Sequence, residues 1–103
     1  MISIGAIRTK SIALGEYAVE RLDADLAPLG CRLGSPRDPA RRGGHVAIRH
    51  TEARSLADAL TVRGVIVDFR EPDVIRFGLS PLTTSFADVD RGIVALRDLL
   101  AGA

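Results

Sequence analysis

Apolar residues between Ser3 and Ala27 recur at three- and four-residue spacing. Ile4, Ile7, Leu14, Ala18, Leu22 and Leu26, with Ser11 in the same register, form the stripe of one long amphipathic helix. Gly15 costs about 1 kcal/mol relative to Ala in a helix interior and predicts a weak or bent point there. Pro28 and Gly30 stop the helix, and Cys31 to Gly34 reads as a short strand. A loop rich in Pro, Arg and Gly covers Ser35 to Gly44. The strand His45 to His50 follows, with Val46 and Ile48 on one face and a hairpin as the economical connection to the strand before it. Thr51 is placed to cap a second helix with the stripe Ala53, Leu56, Ala57 and Leu60, and Gly64 supplies the left-handed residue that ends it.

Two further strands, Val65 to Phe69 and Val74 to Ser80, flank the turn Arg70-Glu71-Pro72-Asp73. Pairing Phe69 with Ile75 brings Val67 to Phe77 and Val65 to Leu79, a coherent apolar face. Ile66, Asp68, Val74 and Arg76 then share the other face. Ser85 and Asp88 fit a capping box at the head of a third helix, with Phe86, Val89, Ile93, Leu96 and Leu100 on one side. The order α-β-β-α-β-β-α predicts an α+β fold of two layers, an antiparallel sheet of about four strands with helices mainly on one face.

Length limits the chain to one domain over residues 1–103, and a domain of that size buries roughly 65% of its unfolded surface, enough for one modest core. A formal net charge of +1 argues against capture of nucleic acid or an anionic membrane by bulk electrostatics. Cys31 is the only cysteine and has no internal disulfide partner, which fits a reducing compartment. With no signal-peptide pattern near Met1 and no apolar run approaching the ~20 residues of a membrane span, a cytoplasmic location is expected.

Arg76 is the one residue whose chemistry stands out, a lone cation within Val74-Ile75-Arg76-Phe77-Gly78-Leu79. Helices covering the Ile75, Phe77 and Leu79 face leave it pointing to the opposite side. Its planar fork matches a carboxylate with two parallel charge-assisted hydrogen bonds. Two readings stand side by side: a clamp for a carboxylate ligand, or a guanidinium that pairs diagonally with Asp68 or reaches water, a pair worth about 0–1 kcal/mol when exposed.

Other constellations are weaker. His45 and His50 lie five apart on a strand and face opposite ways, and Cys31 adds at most one distant ligand, so no metal site is expected. Arg37, Arg41 and Arg42 read as a solvated loop or as contacts to phosphate or another subunit. Gly43-Gly44 precedes a strand, which is the wrong context for a nucleotide loop, and Ser35 has no histidine base nearby in sequence.

Arg8 to Tyr17, Ser35 to Val46, Gly64 to Arg70 and Ile75 to Leu82, followed by Ser85 to Val89, together resemble the C-terminal part of bacterial kynureninase, in order and over nearly the whole chain. The resemblance implies the small C-terminal domain of a fold type I enzyme that uses pyridoxal 5'-phosphate to hydrolyse L-kynurenine to anthranilate and L-alanine in tryptophan catabolism, as a cytoplasmic homodimer. It gives Arg76 the substrate α-carboxylate. It also implies that the large cofactor-binding domain, with its Schiff-base lysine, precedes the matched region. Lys10, the only lysine beside thirteen arginines, is not that residue, because it falls in a matched helix beyond it. This segment alone is therefore expected to hold no cofactor and to be inactive, its partner being the large domain or a second subunit. Thr83 stands where the family usually has Tyr. The equivalent domain of a cysteine desulfurase or another class V aminotransferase, and a non-catalytic module dimerising through its open sheet face, are the alternatives.

Overall fold

A computed structural model describes residues 3–42, 44–80 and 84–102. Helix α1 spans Ile4–Arg21 and is capped by the Ser3 hydroxyl, which accepts a hydrogen bond from the Ala6 N–H at 3.0 Å. Its apolar stripe is buried from Leu14 onward, whereas Ile4 at its head is 86% exposed. The regular helix ends earlier than its periodicity predicts: Leu22–Leu26 forms a wider π turn and Ala27–Leu29 a 3-10 turn. Pro28 brings no N–H to continue the α ladder, and Gly30 closes the segment at φ 95°. Leu22 and Leu26 remain buried throughout.

Gly15 does not act as a bend. It lies inside α1, buried, with the guanidinium of Arg42 laid on it; a Cβ there would stand 2.8 Å from Arg42 Nη2. The glycine is a seat for another side chain.

Four strands follow: β1 Arg32–Leu33, β2 His45–Arg49, β3 Asp68–Arg70 and β4 Val74–Gly78, in the antiparallel order β1-β2-β4-β3. The predicted Phe69 to Ile75 register is present, but β3 begins at Asp68, so the expected Val67 to Phe77 and Val65 to Leu79 ladder pairs do not form. Instead Val65 and Val67 pack on the core from an irregular segment that keeps the in-out alternation and leaves Ile66 93% exposed. Helix α2, Ala53–Val62, connects β2 to β3. Thr51 does not cap it: the helix starts two residues later, and the N–H of Glu52 donates to Nδ1 of His50 at 2.9 Å. Gly64 ends it as predicted, at φ 85°. Helix α3, Phe86–Gly102, opens with the Ser85–Asp88 capping box, in which the Ser85 N–H donates to Asp88 Oδ2 at 2.9 Å and the Asp88 N–H to Ser85 Oγ at 3.1 Å.

Because cross-strand partners share a face, the register sorts the sheet into rows. Leu33, Ile48, Ile75 and Phe69 run across all four strands beside Val46 and Phe77, and this side takes the helices. One cluster joins it to Leu14, Leu22, Leu60, Ile93 and Leu96. Gly92 brings α3 against the sheet so closely that an added Cβ would come within 2.9 Å of the Phe77 ring. Between α1 and α3, Tyr17 donates to Asp90 at 2.6 Å, and Arg21 bridges Asp25, at 2.7 Å, and Asp90. No helix among the described residues is long and apolar enough to cross a membrane.

Candidate functional site

The other side of the sheet carries the rows Arg32, Arg49, Val74, Arg70 and Ala47, Arg76, Asp68, with His45 at the next position of β2 on the same face. This open face is charged. Asp73 ties the first row, meeting Arg49 at 3.1 Å and Arg32 at 3.7 Å, which offsets the repulsion of two arginines placed directly opposite each other.

Arg76 occupies the centre of the second row. Its side chain is 26% exposed and lines a groove of about 410 Å³ with Gly44, Ile66, Asp68, Gly78 and Thr84. Nη2 donates to Asp68 Oδ2 at 3.0 Å, and Nη1 stands 3.4 Å from His45 Nε2. Asp68 is directly opposite Arg76 in the ladder, closer than the diagonal placement expected from sequence. The Nε of Arg76 is buried and has no hydrogen-bond partner among the described residues. Its cross-strand neighbour on β2 is the small Ala47. A fork with one of its five donors committed to Asp68 retains donors for an incoming carboxylate.

Of the loop arginines, Arg37 and Arg41 stay exposed, and Arg42 alone departs from a solvated loop. Arg37 meets Asp23 with two bonds, 2.9 and 3.0 Å, and holds that carboxyl below its ordinary pKa. Arg42 crosses to α1, bonding Glu16 at 2.9 Å and the Arg37 carbonyl at 3.2 Å, with its side chain only 3% exposed. The Gly15 seat for Arg42 has a sequence signal, a glycine in a helix that has no need of one, although nothing in the chain order names its occupant. Ser35 completes the β1–β2 pairing, its hydroxyl accepting from the Ala47 N–H at 2.8 Å. His45 and His50 serve separate places, one beside Arg76 and one at the head of α2. Cys31 is buried, and its thiol is pushed up to about 11 by desolvation, far from a reactive thiolate. Lys10 stands on α1 and lines no part of the Arg76 groove. Thr83, the sequence departure noted above, lies outside the described residues.

The profile of the kynureninase C-terminal domain family matches residues 7–96. A kynureninase of Pseudomonas fluorescens is 38% identical over 97 residues, covering 94% of this chain and 23% of that protein. One of Burkholderia mallei (strain SAVP1) is 40% identical over 95 residues, covering 92% and 23%. The chain thus spans about a quarter of the length of these relatives. A solved structure of a NifS-like protein superposes with a TM-score of 0.72 at 15% identity, over 92% of this chain and 29% of that one, which shows a shared fold. On the family match and these relatives, the chain belongs to the kynureninase C-terminal domain family.

Proposed function

We propose that this chain is the small domain of a kynureninase that uses pyridoxal 5'-phosphate to hydrolyse L-kynurenine to anthranilate and L-alanine, and that Arg76 binds the substrate α-carboxylate. The single observation that carries the reading is the placing of Arg76: a guanidinium three-quarters withdrawn from water, on the sheet face that the domain's own helices leave open, lining a groove there. Its terminal nitrogens keep donors beyond the one given to Asp68, and these are what an incoming carboxylate would meet. The fixed fork then sets both the position and the rotation of the carboxylate, which a point charge does not.

The residues of this chain do not by themselves fit the cofactor. Its chemistry needs an amine to hold it, and the one lysine, Lys10, is on α1 and outside the groove. We therefore assign the cofactor to the large domain, which the roughly three-quarters of each relative beyond this match would supply. The same reading makes the complete enzyme a cytoplasmic homodimer and leaves the isolated segment without activity.

The test is Arg76→Lys in the complete enzyme. A charge-assisted bond to the substrate is worth about 1.5–3 kcal/mol, so the substitution should raise KM for kynurenine by roughly 10-fold or more, with a smaller change in kcat. An unchanged KM overturns the carboxylate assignment.

A further inference from the structure

We propose that Asp68 and His45 are positioning residues that hold the Arg76 guanidinium in the plane a carboxylate requires; the inference rests on the carboxylate reading of Arg76. Asp68 comes from β3 and His45 from β2, so the two flank β4 and reach different nitrogens of the same fork, Nη2 at 3.0 Å and Nη1 at 3.4 Å. One partner would leave the fork free to swing about the bond to Nε. Two partners on opposite sides fix it. Arginine carries a large rotamer entropy when free, so a fork fixed in advance loses less on binding.

The pair with Asp68 does little for the fold itself. Asp68 is 65% exposed, and an ion pair in that setting is screened. Its charge also opposes an incoming carboxylate. Orientation and charge therefore act in opposite directions at one residue, and substitutions separate them. Asp68→Asn removes the charge and keeps an acceptor at the same reach, whereas Asp68→Ala removes both. At position 45, Gln keeps an acceptor near Nη1 and Ala does not.

In the complete enzyme, Asp68→Ala and His45→Ala should each raise KM for kynurenine by about 3–10-fold, the range of one lost hydrogen bond, with kcat within about 2-fold of wild type. Asp68→Asn and His45→Gln should restore KM to within about 2-fold, and these near-isosteric variants also cover the case in which an alanine variant fails to fold. A lower KM in both Asp68→Ala and Asp68→Asn would identify Asp68 as a competing anion and overturn the proposal. Arg76→Lys measured in parallel separates the two levels: if it raises KM while the position 68 and 45 variants do not, the positioning role fails alone, and if it leaves KM unchanged, the carboxylate reading fails with it. A second readout needs no activity. In the 103-residue chain, the Arg76 Nε–H should give a resolved, slowly exchanging ¹⁵N–¹H signal that is lost in Asp68→Ala. A wild-type signal that exchanges as fast as that of exposed Arg63 overturns the proposal.

Discussion

Ile75 and Arg76 are consecutive residues of β4 and occupy opposite faces of one sheet. Ile75 is fully buried between Ile48 and Phe69, beneath the helices, and its surroundings are complete within the chain. Arg76 lies between Ala47 and Asp68 on the face without helices, partly exposed, with a nitrogen unsatisfied. The covered face is where the domain holds itself together, and the open face is where it has donors to spare. Pleating makes the two independent, because successive side chains point to opposite faces. The largest expected effect tests that independence. Ile75→Ala should cost about 2–5 kcal/mol of unfolding free energy by urea titration, the usual loss for a buried aliphatic side chain. Arg76→Ala should cost about 1 kcal/mol or less, since it gives up one screened pair. Equal losses at the two positions would show that the open face also carries stability.

A second pair of sites sharpens the contrast, since Arg42 and Arg76 are both withdrawn from water. Arg42 is sealed, with Glu16 and loop carbonyls taking its donors and Gly15 beneath it. Its role is to fasten the loop after β1 to α1. In wild type, Gly15→Ala should destabilise, because the new Cβ would fall 2.8 Å from Nη2 and displace the guanidinium. With Arg42→Ala already in place, the same change should stabilise by up to about 1 kcal/mol, the helix preference of Ala over Gly. That reversal of sign in a double-mutant cycle by thermal denaturation is the check, and a Gly15→Ala effect of one sign in both backgrounds would refute the seat.

Most of the fold was legible from periodicity and end signals. The α2 stripe, the Gly64 stop, the Ser85–Asp88 box and the Phe69–Ile75 register all depend on short-range spacing, and all are present. The first and third stripes are buried or half-buried apart from Ile4 and Phe86 at their heads, and the first outruns its α-helix. What failed involved neighbours that residue type and spacing do not reveal. Thr51 had the right residue type for a cap, but the His50 ring takes the Glu52 N–H and the helix starts later. Val65 to Val67 had strand alternation without a strand, because packing on the core preserves alternation even where β4 offers no ladder partner. At the site, alternation was enough to put Arg76 and Asp68 on one face. The approach of His45 depended on β2 lying beside β4, an order that hydrophobic spacing does not encode.

The smallest expected effect concerns acid, and it enters from the covered side. At the head of α3 the Asp88 carboxyl sits below its ordinary value of 3.8, chiefly because the Ser85 N–H bonds its charged form, next because of the Ser85 hydroxyl, and less because Arg91 is near. A folded pKa below the unfolded one means that the unfolded chain binds more protons, so stability rises with pH through this range. The contribution is fully present above 3.8 and disappears as pH falls through the lower, folded value. Asp88→Ala should therefore lower the urea midpoint at neutral pH, and the gap to wild type should close as pH is taken below about 3.8. Asp23, lowered by Arg37, titrates alike in both proteins and cancels in the difference. A gap that stays constant into acid would mean that Asp88 contributes independently of its charge. In that case the acid sensitivity of the domain would have to arise elsewhere, with Asp23, lowered by Arg37, as the next place to test.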